Sequence, residues 1–65
     1  MITDTCPGVG ESIEHTLPSG EVVYCDCESK SRFRVGCLYA SSSEIRWEKI
    51  FYRWEDAQKE YRRFG

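Results

Sequence analysis

Apolar side chains occupy alternate, odd-numbered positions in Val23-Cys25-Cys27, Phe33-Val35-Cys37-Tyr39 and Ile45-Trp47, and then recur at helical spacing in Trp54, Ala57, Tyr61 and Phe64. Side chains alternate with period 2 along a strand and return every three to four residues along a helix. The pattern therefore predicts an α+β fold, an antiparallel meander of three to four strands with one C-terminal helix packed on its odd-numbered face. Glu11–Leu17 adds a short strand, with Ile13, His15 and Leu17 set against Ser12, Glu14 and Thr16. Residues 1–10, with Pro7, Gly8 and Gly10, carry no periodicity and read as an N-terminal arm whose order depends on docking. Residues 11–65 read as a single small ββββα domain.

Three loops fix a register. Leu17-Pro18-Ser19-Gly20-Glu21 fits a three-residue hairpin loop, because proline presets φ at the first turn position and glycine takes the left-handed position of the bulge. It sets Leu17 opposite Glu21, His15 opposite Val23 and Ile13 opposite Cys25. A loop at Ser29-Lys30-Ser31 pairs Cys27 with Phe33, Cys25 with Val35 and Val23 with Cys37. A third at Ser41-Ser42-Ser43 pairs Tyr39 with Ile45, Cys37 with Trp47 and Phe33 with Phe51. All three keep odd residues on one face, and a slip of one residue in any of them would turn that strand's apolar set to the other side. Lys49 is the exception on the odd face, and a bulge or a place at the sheet margin would accommodate it.

The helix is expected over residues 54–64. Glu55 and Asp56 lie in its first turn and Arg62 and Arg63 in its last, as the helix dipole favours, and Glu55 precedes Lys59 by one turn. Arg53 at the N-cap cannot accept the free amide bonds as Ser or Asp would. So short a helix does not persist alone, and its docking on the odd face must hold it.

Sixty-five residues make one domain, which at this size buries only about 60% of the surface of its unfolded chain. Two Trp, four Tyr and three Phe supply much of the apolar area and leave little room for a deep substrate cavity. The net charge of −2 is unevenly spread. Up to Ser31 the acids Asp4, Glu11, Glu14, Glu21, Asp26 and Glu28 face Lys30 alone, whereas basic residues dominate from Arg32 onward, which implies one electronegative and one electropositive surface. Met1-Ile2-Thr3-Asp4 has neither the basic start nor the apolar run of a secretory signal, and no stretch reaches membrane-spanning length. The expectation is a cytoplasmic protein with no membrane association.

The four cysteines, Cys6, Cys25, Cys27 and Cys37, are expected as reduced thiols, three of them acting as small core hydrophobes. The alternative is a small zinc- or disulfide-stabilised domain, with Cys6 as a disulfide partner or with four thiolates, or His15 in place of one, around zinc. Cys25-x-Cys27 lies mid-strand and not in a tight knuckle, so no metal or other cofactor is assigned. His15 beside Cys25 is the one possible nucleophile and base couple, but both point toward the core and no orienting group or oxyanion feature accompanies them. The chain is therefore read as a non-enzyme.

The even face is left for function. In the expected register it carries Val22, Tyr24, Arg32, Arg34, Leu38, Arg46, Glu48, Ile50 and Tyr52, with Val22 beside Leu38, Leu38 beside Arg46, Arg34 beside Ile50 and Arg32 beside Tyr52. A sheet face with no helix over it should be mostly polar, whereas this mixture of aliphatic, aromatic and arginine side chains is the composition of a recognition surface. Tyr24, Arg32, Arg34, Leu38, Arg46, Ile50 and Tyr52 are the candidate partner-binding residues, and Glu11, Glu14, Glu21, Asp26 and Glu28 form a second, acidic candidate surface.

Two functions fit such a face. In strand order, and in the Phe51 to Tyr61 stretch FYRWEDAQKEY with its aromatic, its acidic first turn, Ala57 and Tyr61, residues 21–64 resemble plant AP2 and phage integrase arm-binding domains. That resemblance implies an open sheet face entering a DNA groove, with Arg32, Arg34 and Arg46 as the contacting residues. The reading preferred on charge and size is a non-enzymatic module that binds another protein. Its expected role is that of a phage or mobile-element inhibitor or regulator of a host enzyme such as nucleic-acid machinery, in the manner of an anti-CRISPR. An excess of positive charge, which supplies the sequence-independent part of DNA affinity, is missing.

Overall fold

The computed structural model describes residues 5–64. Four strands, β1 (Ser12–Thr16), β2 (Val22–Ser29), β3 (Arg32–Leu38) and β4 (Ile45–Phe51), form one antiparallel sheet in the order β1-β2-β3-β4, followed by helix α1 (Trp54–Arg63). The expected α+β meander with a C-terminal helix is present, with four strands. Of the N-terminal arm, residues 1–4 lie outside the described residues, as does residue 65.

The first hairpin closes as its sequence dictates. Gly20 takes φ +94°, Gly20 N donates to Leu17 O at 2.9 Å, and Leu17 N donates to Glu21 O at 2.7 Å. Ile13 then faces Cys25 and His15 faces Val23. The second hairpin brings Cys27 opposite Phe33 and Cys25 opposite Val35, with a bulge between Cys27 and Ser29 that turns Glu28 toward the arginines of β3.

The third connection departs from expectation. Cys37 faces Trp47 and Phe33 faces Phe51 as read, but Leu38 faces Ile45, so Arg46 bulges out. Tyr39 N donates to Glu44 O at 2.9 Å, and Ser43 adopts φ 61°, a left-handed conformation unusual for a residue with a Cβ. The loop thus spans Ala40 to Ser43, one residue longer at its start than the serine triplet. The two expected pairings Tyr39–Ile45 and Leu38–Arg46 are both replaced. Arg32 does not lie beside Tyr52 in the ladder either, since it faces Ser29 and β4 ends at Phe51.

The odd face holds the core. Val23, Cys25, Cys27, Phe33, Val35, Cys37, Ala57 and Tyr61 are buried, with Ile13, Leu17, Trp47, Phe51 and Trp54 packed at the edges. The helix lies over β2, β3 and β4. It begins without a side-chain cap at Arg53 and ends at Arg63, one residue short of the expected end, with Phe64 as C-cap. Phe64 is exposed, yet its ring meets Trp47 at 5.1 Å. Lys49, the polar intruder on the odd face, bonds the carboxylate of Glu60 on the helix, which is itself only 8% exposed and also faces Arg63 at 3.5 Å. A helix-to-sheet ion pair, and not a bulge at that position, accommodates this lysine.

The arm completes the odd side. Gly10 N donates to Cys27 O at 2.8 Å and Cys27 N to Glu11 O at 3.1 Å, which extends the β1–β2 ladder beyond Ser12. Gly8 N donates to the Glu11 carboxylate at 2.9 Å, closing the turn that precedes β1, and Pro7 is buried. Burial pushes the Cys25 thiol up to about 12, with Asp26, Cys6 and Cys27 adding to it. Cys27 and Cys37 are also raised, each chiefly by burial. Thiols so protonated are poor nucleophiles. The native protein should therefore react quickly with a thiol reagent at Cys6 and only slowly at the other three, all four reacting once it is unfolded in reducing buffer. Removal of residues 1–9 should speed modification of Cys27 ahead of Cys37. Equal rates at all sites in the intact chain would contradict this packing.

Two groups on the odd side make stability fall on acidification. Burial lowers the His15 imidazole below its ordinary 6.5, with the backbone of Phe64 acting the other way. The Lys49 hydrogen bond holds the Glu60 carboxyl below its ordinary 4.5 against the opposing effect of burial, with Lys49 and Arg63 charge adding. Both folded-state values lie below the unfolded ones, so the unfolded chain takes up each proton first and stability falls on acidification. Melting temperature should decline below about pH 6.5 through His15 and further below about pH 4.5 through Glu60. Glu60→Gln should shrink the lower step, to which Glu21 also contributes, and leave the upper one. A melting temperature constant from pH 7 to pH 4 would contradict both assignments.

Candidate functional site

With the helix on the odd side, no strand or helix among the described residues packs on the even face. The ladders arrange it in rows across the strands. Thr16, Val22 and Leu38 form one row, Glu14, Tyr24, Gly36 and Glu48 the next, and Ser12, Asp26, Arg34 and Ile50 a third, with Glu28 and Arg32 at the end.

The second row is organised by a missing side chain. A Cβ built on Gly36 would lie 2.4 Å from Cζ and Oη of Tyr24, so the tyrosine ring lies across the bare backbone of β3 and could not do so over any larger residue. Crossing that strand brings its hydroxyl to Glu48 on β4, to which it donates at 2.7 Å. Burial first, then the Glu48 carboxylate, raises the Tyr24 hydroxyl well above its ordinary value and keeps it protonated as a donor. Alternation along the strands places Tyr24 and Glu48 on this face and names Tyr24 as a site residue, but it assigns no role to Glu48 or Gly36. A glycine inside an otherwise regular strand was the available signal.

The arginines are engaged within the molecule. Arg34 pairs with Glu28 and lies 3.6 Å from Glu48, while Arg32 pairs with Glu28 at 2.8 Å. Arg46, carried outward by the bulge, donates to Glu21 at 2.5 Å. The Ser19 hydroxyl, then Arg46, holds the Glu21 carboxyl below its ordinary value. Burial raises the Asp26 carboxyl, with Arg34 pulling it down and Glu48 pushing it up. Four carboxylates, Glu14, Asp26, Glu28 and Glu48, thus share the face with the guanidiniums of Arg32 and Arg34, and negative charge is in surplus.

The structure brings together Tyr24, Arg32, Arg34, Leu38 and Ile50, with Arg46 at one corner and Tyr52, 68% exposed, just past the end of β4. The second candidate surface does not stand apart. Glu21 and Glu28 are tied to arginines of the first, Asp26 and Glu14 belong to its rows, and Glu11 closes the turn before β1. The two surfaces read from sequence therefore merge, apart from Glu11.

Among the described residues no three His, Cys, Asp or Glu side chains converge as metal ligands, and Cys6, Cys25, Cys27 and Cys37 are all free thiols. No described helix is long and apolar enough to cross a membrane. A depression on the outer side of the helix is lined by Gln58, Lys59, Arg62 and Arg63, and holds no carboxylate, thiol or imidazole. Comparison with family models, with curated proteins and with solved structures finds no match to this chain.

Proposed function

We propose that the chain is a non-enzymatic module that binds another protein through the even sheet face, acting in the cytoplasm as a phage or mobile-element inhibitor or regulator of a host enzyme such as nucleic-acid machinery. The observation that carries this reading is the commitment of Arg32, Arg34 and Arg46 to carboxylates of the same molecule. DNA binding draws its affinity from cations free to replace counterions at phosphates, and an open face with surplus negative charge repels them. The same uncovered face offers Tyr24, Leu38, Ile50 and Tyr52 beside ion pairs, the mixture of anchors and polar neighbours that protein contacts use.

The test begins with the protein captured from the source cell by the tagged chain. Tyr52→Ala should weaken the purified complex by about 2 kcal/mol or more as the loss of an exposed aromatic anchor, and the complex should survive moderate salt. A salt-sensitive mobility shift with duplex DNA, lost with Arg34→Ala or Arg46→Ala, would instead support the sheet-groove reading. Normal binding of the captured protein by a folded variant lacking Tyr52, Arg34 and Arg46 side chains would exclude this face.

A further inference from the structure

The even face has a specific centre. Tyr24 lies across Gly36 with its hydroxyl held by Glu48, so its ring is fixed at the level of the backbone and does not project. Glu14 is its direct neighbour on β1 and Asp26 follows it on the same side of β2. Around this ring the charges do not cancel, because two guanidiniums serve four carboxylates: Glu28 pairs with Arg32 and Arg34, Arg34 also lies opposite Asp26 and 3.6 Å from Glu48, and Glu14 stands on the outer strand. Glu14 is exposed, and the aliphatic side chains of Val22, Leu38 and Ile50 stand half-buried in the adjoining rows.

An aromatic face rimmed by carboxylates is complementary to a cation, and a planar guanidinium satisfies both parts by stacking on the ring while donating in the plane to carboxylates. We propose that this face docks an arginine-bearing segment of the partner protein, one guanidinium seated on Tyr24 among Glu14, Asp26 and Glu48. The inference rests on the reading of the even face as a protein contact and adds the chemistry of what it contacts. Charge complementarity selects the occupant, since a neutral apolar segment would cover the surplus carboxylates without supplying a counter-charge and an acidic one would be repelled. The expected partner surface is one that itself holds polyanions, which the chain would then compete with for the same arginines.

The probe is a short peptide, acetyl-Gly-Arg-Gly-Arg-Gly-amide, titrated into the intact chain while backbone amide chemical shifts are followed. Its counterpart with citrulline, a neutral isostere of arginine, serves as control. Shifts are expected at Tyr24, Gly36 and the residues flanking Glu14, with none from the citrulline peptide. The double variant Glu14→Gln, Asp26→Asn should bind the arginine peptide about three- to ten-fold more weakly with the melting temperature preserved. Shifts confined to the helix acids Glu55 and Asp56, equal affinity of the double variant, or equal response to citrulline would overturn the proposal. If the peptide fails while Tyr52→Ala still releases the captured partner, the face remains a protein contact and only its preference for arginine falls. If the peptide behaves as expected while that partner is indifferent to every change on the face, the arginine seat exists but its assignment to that partner is overturned.

Discussion

Tyr61→Ala should cost about 3–5 kcal/mol, the range for deleting a buried aromatic, and so unfold much of the protein at ambient temperature. The global stability of a domain of this length is itself on the order of 3–10 kcal/mol. Tyr61 is fully buried and is the largest such side chain, and its ring meets the edge of His15 at 4.6 Å. It is therefore the point at which the helix reaches across to β1, the strand with which the helix otherwise makes little contact. A ten-residue helix with an uncapped N-terminus has no independent stability to fall back on. Loss of the docking residue should appear as a joint loss of helical circular dichroism and of the sheet transition, in one cooperative melt. Phe64→Ala provides the contrast. Phe64 is exposed and stacks on Trp47 from the C-cap, so its removal should lower the melting temperature only modestly. Equal effects of the two changes would mean that the helix is held by its end and not by its buried face.

Where the sequence is strongly patterned, the fold follows from it. Parity along β2 and β3 determines which residues meet the helix, because a one-residue slip would bury Tyr24, Asp26 and Arg34 in place of Val23, Cys25 and Val35. The Pro18-Ser19-Gly20 loop is legible for the same reason, as its glycine supplies a conformation that few other residues adopt cheaply. The loop after Tyr39 is not. Ala40, Ser41, Ser42 and Ser43 contain no glycine or asparagine to mark the left-handed position, which falls on Ser43, and the pairing shifts by one until the bulge at Arg46 restores it. Lys49 looked anomalous on the odd face because its partner, Glu60, lies eleven residues away on another element, and no local pattern encodes such a pair. The even-face residues could be listed from parity alone. Their mutual pairing could not, since Glu28 reaches the arginines only through a bulge and Tyr24 reaches Glu48 only because position 36 is bare.

That last dependence leads to a reversal of sign. Glycine in a strand interior is ordinarily inferior to alanine by roughly 0.5–1 kcal/mol, and Gly36 does not have a positive φ that would require glycine on backbone grounds. Gly36→Ala should nevertheless destabilise the native protein by about 1 kcal/mol, because the new methyl would overlap Cζ and Oη of Tyr24 at 2.4 Å and displace the ring from its charge-assisted hydrogen bond, a larger loss than the strand preference regains. Relief would require the ring to swing off β3 and give up its bond to Glu48. In a Tyr24→Ala background the obstacle is gone, and the same Gly36→Ala change should stabilise by the ordinary strand preference. A double-mutant cycle read by chemical denaturation should therefore show a coupling of about 1.5–2 kcal/mol between two residues that face one another across β2 and β3. The hydroxyl contributes separately, so Tyr24→Phe should keep the intolerance of alanine at position 36 while losing the bond to Glu48. If Gly36→Ala were stabilising in the native background, the ring would not lie across β3. The seat proposed for an arginine would then be absent as well, because a ring free to leave the sheet would no longer be held among Glu14, Asp26 and Glu48.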